Sequence, residues 1–381
     1  MSENKKIKIC HFVNRITGRD DGVFKHLIGQ LVFLDQEKFE QFVVFQGGET
    51  VENYLKSINV KYYIIKEIEK KFSFKFFNNF KEIIIKENAD IINAHLIKPY
   101  VIAGLLNIFL RRKLIFSYHG LFIKNDYNTP NEQLIYKISH FIISIFNKVY
   151  VLAPSKKSKE ILRFETKKFY KIFNYYQGKA LFYLNNQPDK ILLKELEDLK
   201  SNYVVIAFVG RLNREKNARL CIDIFSRVSE VNKNTFLVIF GSGEEEELLR
   251  AYVKSSNLER IKFFGYVENA NNYMKYFDVL ILTSNREGMP IVIWEAMNNS
   301  VPIISTKVGG VGEIITSENC GYVFDNRNIL DGVSKLLLLL NDENLRKSLG
   351  ANGKKAIETN YSKENFKDFF ENFYIKTLNE K

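Results

Sequence analysis

Two carboxylates eight residues apart, Glu287 and Glu295, stand in the segment Ser284-Asn285-Arg286-Glu287-Gly288-Met289-Pro290-Ile291-Val292-Ile293-Trp294-Glu295-Ala296-Met297. An ionised carboxylate only accepts hydrogen bonds, so one of the two could hold the vicinal hydroxyls of a sugar ring and the other those of a ribose. Pro290 fits the first turn of a helix, which puts Glu287 in the loop beneath the helix N-terminus and Glu295 more than one turn in, two acids facing one cleft at different depths. The free N–H groups of Gly288 and Met289 would meet phosphate or sugar oxygens. A helix cap plus a surface glutamate would explain the same residues without a ligand.

A cationic pair precedes these acids. The apolar run Val204–Val209 is followed by Gly210-Arg211-Leu212-Asn213-Arg214-Glu215-Lys216-Asn217 and then a helical pattern, so Arg211 and Lys216 stand at the mouth of a strand-to-helix turn. In open parallel sheets, ligands bind beyond the carboxyl ends of the strands, where helix N-termini aim N–H groups at anions. The planar guanidinium of Arg211 and the compact ammonium of Lys216 could stabilise a departing nucleoside diphosphate. Both are equally at home as solvated surface cations. His119 ends the apolar run Leu114–Tyr118, His95 follows Asp90–Ala94, and His11 and His26 flank the first strand-to-helix connection. A histidine in such a place is commonly a hydrogen-bonded structural residue.

Positioning these groups needs a frame of alternating strands and helices. Short runs rich in Val, Ile and Phe at Ile7–Val13, Phe42–Phe45, Asp90–Ala94, Leu114–Tyr118 and Val149–Leu152 read as buried strands separated by helical segments. After a polar stretch at 185–200 the rhythm restarts with Val204–Val209, Phe236–Phe240, Ile261–Phe263, Val279–Leu282 and Pro302–Ser305. The class is α/β, with two Rossmann-like parallel-sheet domains. Five leucines at 336–340 lie in a helical pattern from near Asn328 to near Asn341 and read as a buried helix face.

With 381 residues, 46% of them hydrophobic and 14% aromatic, the chain has material for two large cores, which excludes a disordered or low-complexity protein. The opening residues lack an apolar core of signal-peptide length, and the longest apolar stretch, Tyr100–Leu110, is about half what a bilayer span needs. Cys10, Cys221 and Cys320 fit neither a disulfide framework nor a zinc site, which points to a reducing cytoplasm. No Asp-rich metal motif stands out. A formal charge of +12 could reflect nucleic acid, an anionic membrane surface, phosphorylated substrates or lysine-rich composition alone. Nucleic acid is disfavoured, because the basic residues are scattered among acids and no recognition motif accompanies them.

With those residues in view, the chain resembles the retaining glycosyltransferases of the GT-B fold called family 4, typified by bacterial capsule, exopolysaccharide and lipopolysaccharide enzymes. The resemblance covers nearly the whole chain. It is carried by GRLNREKN at 210–217, FGSGEE at 240–245, FFGYV at 263–267, EGMPIVIWEAM at 287–297 and PIISTKVGGVGEII at 302–315. It implies two domains facing across a cleft: an N-terminal acceptor domain over 1–180, rejoined by a C-terminal helix at 362–381, and a donor domain over 181–361. It places Arg211 and Lys216 on the donor diphosphate, Glu287 on the transferred sugar and Glu295 on the ribose, with Gly22, Gly210, Gly241, Gly288, Met289 and Pro290 lining the donor pocket. Tyr118-His119-Gly120 matches the family's His motif, which makes His119 the reactive-centre histidine, and His95 and Tyr127 would lie on the acceptor side.

The implied reaction is front-face transfer from a nucleotide-sugar, a UDP-sugar by prevalence, to a glycan or lipid-linked glycan. The leaving diphosphate takes the acceptor proton, and no cofactor or metal is expected. Two stretches depart from the family: Thr17–Val23 keeps only Gly22 of a usual Gly-Gly pair, and Ile172–Gly178 lacks the usual Asn-Gly turn. Acceptor choice is expected in the loop Leu121–Glu132 and the stretch Lys70–Lys86. The latter reads either as an amphipathic helix packing Phe76, Phe80, Ile83 and Ile84 onto the sheet or as a docking face for the anionic inner leaflet, which would make the protein peripheral. Two other readings stay open: a catalytically silent homologue serving as a partner subunit or sugar-binding module, and a sugar-nucleotide epimerase or phosphorylase on the same architecture.

Overall fold

The structure, a computed structural model, describes residues 5–14, 16, 22–66, 74–119, 129–165, 171–176, 178 and 187–380. The chain divides into two compact units, Met1–Ala180 with Lys363–Lys381, and Leu181–Ser362. In the first, β1 (Ile7–Val13), β2 (Phe39–Phe45), β3 (Lys61–Ile64), β4 (Ile91–His95), β5 (Lys113–Ser117), β6 (Val149–Ala153) and β7 (Lys171–Asn174) form a parallel sheet in the order β3-β2-β1-β4-β5-β6-β7. Between them run α1 (Gly22–Phe33), α2 (Glu49–Ser57), α3 (Phe74–Glu87), α4 (Ile97–Leu110), α5 (Pro130–Phe146) and α6 (Lys156–Glu165).

The second unit opens with α7 (Lys190–Asn202). Its sheet comprises β8 (Val204–Val209), β9 (Thr235–Phe240), β10 (Ile261–Gly265), β11 (Val279–Leu282), β12 (Ile303–Thr306) and β13 (Gly321–Phe324), all parallel, in the order β10-β9-β8-β11-β12-β13. Its helices are α8 (Ala218–Val231), α9 (Glu246–Ser255), α10 (Ile291–Asn298), α11 (Val311–Ser317), α12 (Ile329–Asn341) and α13 (Glu343–Thr359), with a 3-10 helix at Ala270–Tyr276. In both sheets the order reverses once, between β1 and β4 and between β8 and β11. Chain leaving neighbouring strands at such a point turns to opposite faces of the sheet and opens a crevice at their carboxyl ends.

The central strands form because they are covered on both faces. Phe12, Phe42, Ile92 and Phe116 pack with Phe76, Phe80, Ile84 and Tyr100 on one side of the first sheet. On the other side Ile9, Phe39, Ile115 and Tyr150 meet Phe366, Phe370, Phe373 and Tyr374 of α14 (Lys363–Asn379), the helix by which the chain returns to its first unit. Asn93 Nδ2 donates to Tyr374 Oη at 2.9 Å, the Asp35 N–H donates to Glu371 Oε1 at 2.9 Å, and Lys171 donates to Glu380 Oε1 at 2.6 Å, so the helix is fixed by polar as well as apolar contacts.

The aromatic face of α3 is therefore core, as the amphipathic-helix reading expects: Phe76, Phe80 and Ile84 are buried and Ile83 is partly buried against them, while residues 70–73 of that stretch lie outside the described residues. Of the five leucines at 336–340, Leu336, Leu339 and Leu340 are buried whereas Leu338 is exposed, because five consecutive positions wrap beyond a single helix face. Among the described residues, no helix is long and apolar enough to cross a membrane.

Phe370 is wholly buried between the first sheet and the rings of His26 and Tyr175. Phe370→Ala should lower the unfolding free energy of the first unit by about 3–5 kcal/mol in chemical denaturation. A change under about 1 kcal/mol would mean that α14 is not part of that core.

Candidate active site

β8 and β11 are hydrogen-bonded neighbours, so the loops leaving their carboxyl ends, 210–217 and 283–290, meet at the switch point of the second sheet. Lys216 Nζ donates to Glu287 Oε1 at 2.5 Å, and Ser284 Oγ donates to the same oxygen at 2.7 Å. Only 19% of the Lys216 side chain and 9% of the Glu287 side chain remain exposed, so each charge needs the other. The loops are stitched together around this pair. The Asn285 N–H donates to Glu215 O at 2.7 Å, Asn285 Nδ2 to Arg214 O at 2.8 Å and Thr283 Oγ1 to Asn217 O at 2.8 Å.

Two glycines make the close approaches possible. Gly241 has φ 152°, and a Cβ there would lie 1.8 Å from Gly210 O, against the cationic loop. Gly309 has φ 52°, its Cβ would lie 2.0 Å from Glu287 O, and the next N–H, of Gly310, donates to Gly288 O at 2.9 Å. The GG pair of the 302–315 motif is thus a backbone clamp on the acid loop. With Gly288 O held, the N–H groups of Gly288 and Met289 have no acceptor among the described residues. Pro290 does not stand in the first turn of α10 but immediately before it, at φ −71° and ψ 138°, since the extended ψ lets the loop enter from the side. Glu295, the fifth residue of α10, is 5% exposed.

The two cations are not equivalent. Lys216 is committed to Glu287, whereas Arg211 is exposed and its guanidinium makes no hydrogen bond or ion pair among the described residues. Gly210 packs beside the aliphatic stem of Lys216, and its N–H donates to Phe240 O at 3.0 Å. Gly22 is the exposed first residue of α1. Tyr127, residues 17–21 and Gly120 lie outside the described residues.

In the first unit the structure gathers four histidines that the sequence keeps far apart. His11 sits in β1, His95 ends β4 in register with Val13 and Ser117, His119 follows β5, and His26 reaches in from α1. His11 Nδ1 lies 3.2 Å from His95 Nε2, and His95 Nδ1 lies 3.1 Å from His119 Nε2. The His26 ring stands edge-on to His119 at 5.1 Å between centroids. His119 is half-buried and the other three are buried. One nitrogen from each of His26, His95 and His119 falls within 4.8 Å of the others, a spacing at which three imidazoles could hold a transition metal. Only the sheet order could have foretold the cluster, since β1, β4 and β5 are consecutive in the sheet but not in the chain.

Burial pushes the His11 imidazole down to about 4 from its ordinary 6.5. It holds His26 and His95 well below that value, with the His119 charge adding to the effect. The unfolded chain takes up protons on these rings below pH 6.5 while the folded chain stays neutral, so acid favours unfolding. The stability they contribute is complete above pH 6.5 and is lost as the pH falls toward 4, His11 alone accounting for on the order of 3 kcal/mol. The melting temperature of the first unit should therefore fall steeply between about pH 6.5 and 4.5, and should fall less in His11→Phe. A flat profile over that range would contradict the buried, neutral cluster.

The chain matches the model of the family described as Glycosyltransferase Family 4 over residues 21–166 and that of Glycosyl transferases group 1 over residues 189–356. N-acetyl-alpha-D-glucosaminyl L-malate synthase of Bacillus anthracis is 24% identical over 313 residues, covering 78% of this chain and 77% of that one. The O-antigen biosynthesis glycosyltransferase WbnH of Escherichia coli is 28% identical over 303 residues, covering 79% and 82%. Among solved structures, Anabaena HepE in complex with UDP and glucose superposes with a TM-score of 0.81 over 97% of this chain and 100% of that one, a likeness of fold at 16% identity. Each Rossmann-like unit carries one of the two family matches and the pairing is that of the GT-B fold, so the protein belongs to the group 1, family 4 glycosyltransferases.

Proposed function

We propose that this glycosyltransferase moves a hexosyl or N-acetylhexosaminyl residue, with retention, from a UDP-sugar to a glycan or lipid-linked glycan in the assembly of a bacterial surface polysaccharide. The observation that carries the reading is the Lys216–Glu287 pair beside the open N–H groups of Gly288 and Met289: a cation, a hydroxyl acceptor and backbone donors share one pair of loops. The names of relatives support the polysaccharide and N-acetylglucosamine parts, and the UDP held by HepE supports the nucleotide.

In this reading Arg211 binds the diphosphate, and Lys216 turns to it from Glu287 as it arrives. The Glu287 carboxylate then accepts from hydroxyls of the transferred sugar, and Glu295 accepts from the ribose. Gly22, Gly210, Gly241 and Pro290 shape the donor pocket, His119 meets the transferred sugar, and His95 and Tyr127 belong to the acceptor side. The bond from the anomeric carbon to phosphate breaks, and the acceptor oxygen bonds to that carbon on the same face. The acceptor's proton passes to the departing phosphate oxygen. Side-chain cations and the α10 N-terminus offset the phosphate charge in this scheme, which calls for no metal.

Peripheral docking on an anionic membrane from the cytoplasmic side is part of the same proposal, but its seat is α5. Leu134, Ile138, Phe141, Ile145 and Phe146 are exposed along one stripe of that helix. Asn107 Nδ2 donates to Asn147 Oδ1 at 2.8 Å, which brings Phe109, 81% exposed, beside the end of the stripe. The exposed cations are Lys137 within α5, Arg111 just after α4 and Lys148 just beyond α5, as an interfacial helix facing anionic lipid requires.

UDP should raise the melting temperature by about 5 °C at roughly a hundred times its Kd, against smaller shifts with GDP, ADP or CMP. Glu295→Ala should abolish the shift, whereas Glu287→Gln should keep it and lower transfer by about a hundredfold or more. No shift with any nucleotide would favour the silent homologue, and a bound pyridoxal absorbance would favour a phosphorylase. Liposomes rich in phosphatidylglycerol should sediment the protein at low salt, and Phe141→Ser with Ile145→Ser should reduce the bound fraction about tenfold. Failure of the unaltered protein to sediment would end the docking proposal.

A further inference from the structure

The histidine cluster has a direction, and it begins at an amide whose orientation is not free. Gln41 Nε2 donates to the backbone carbonyl of Gln30 at 3.1 Å. The flipped amide would set two carbonyl oxygens against each other, so Gln41 Oε1 is the atom 3.0 Å from His11 Nε2. That oxygen can only accept, which places the His11 proton on Nε2. A neutral imidazole has one proton, so His11 Nδ1 accepts, and His95 Nε2 donates to it across 3.2 Å. His95 Nδ1 is then an acceptor in turn, and His119 Nε2 donates to it across 3.1 Å.

We infer that Gln41, His11 and His95 are positioning residues that hold His119 with its proton on Nε2, turned into the cluster, and so set the edge of the ring that meets substrate. Each step needs the buried rings neutral, and burial keeps both His11 and His95 in that form near neutral pH. For a glycosyltransferase that substrate is the transferred sugar. This rests on the reading that His119 faces the transferred sugar.

A second chain fixes His26. Ser117 Oγ donates to Asn93 Oδ1 at 2.7 Å, Asn93 Nδ2 donates to Tyr374 Oη at 2.9 Å, and Tyr374 donates to Gln30 Oε1. Gln30 Nε2 therefore donates to His26 Nε2 at 2.8 Å, and the His26 proton sits on Nδ1, a buried atom with no partner among the described residues. The lone pairs of His26 and His95 that a metal would use are thus both engaged by N–H donors, and metal binding at this triad would have to reverse both chains.

Long-range 1H–15N correlation spectra of the 15N-labelled full chain near pH 7.5 read the tautomer of each ring directly, with His119→Asn assigning the signal. The expected result is Nε2–H for His11, His95 and His119 and Nδ1–H for His26. A neutral His119 protonated at Nδ1 would overturn the inference in the unaltered protein, whatever the variants do. In Gln41→Leu the His119 signal should move toward a mixture of tautomers while circular dichroism stays native, and KM for UDP-glucose or UDP-N-acetylglucosamine should rise about tenfold, the effect of one hydrogen bond. An unchanged His119 tautomer in that variant would also overturn it. Unchanged UDP release in His119→Asn, with the tautomers as expected, would instead remove the sugar-facing role and leave the relay standing.

Discussion

A lysine and a glutamate this well buried cannot be left unpaired, and the union of Lys216 with Glu287 joins loops 71 residues apart in the chain. Much of the second unit can be understood as what makes that contact possible. β8 and β11 must be neighbours for the loops to meet, which requires the sheet order to reverse there. Gly241 and Gly309 must lack side chains for two further loops to press against them. Ser284 supplies the second donor to Glu287, and its own backbone carbonyl accepts from Thr306 Oγ1 at 2.7 Å, so the acid is held from the strand on the far side as well.

The pair also has a chemical meaning beyond structure. A carboxylate already neutralised by an ammonium is spared the cost of waiting as an isolated buried charge. In the proposed reaction an arriving diphosphate would draw the ammonium away and free the carboxylate for neutral hydroxyls. Arg211, exposed and uncommitted among the described residues, would meet that anion first in the same proposal. In the first unit the polar residues solve the opposite problem. There burial disfavours the charged forms of His11, His26 and His95, and in the proposed relay the rings are ordered by which nitrogen keeps its proton.

The sequence disclosed the central strands and the motif loops, and for clear reasons. β6, β8 and β11 are buried on both faces, so they appear as unbroken apolar runs, β1 is interrupted only by Lys8 and His11, and glycine and proline mark the loops where backbone comes close. β3, β7 and β13 went unread because they lie at sheet edges, where Lys61, Lys171 and Tyr322 are tolerated and no apolar run is needed. Periodicity could show that residues 74–87 and 130–146 have apolar faces, but not which face finds a partner. The first is covered by the sheet and the second is exposed. The histidine cluster was illegible for a different reason: it depends on which strands become neighbours, a property of topology rather than of any local stretch.

The return of α14 to the first unit has a consequence for how the protein is made. A ribosome delivers β1 to β7 long before it delivers Phe366, Phe370 and Tyr374, so one face of the nascent sheet, with Ile9, Phe39, Ile115 and Tyr150, waits uncovered while the entire second unit is synthesised. The second unit is continuous in sequence and can complete its core first. Tyr374 also orders the amide beside His26, so that ring is fixed only when residue 374 of these 381 has left the exit tunnel. An unfinished chain would thus have its second unit built while His26 was still unordered.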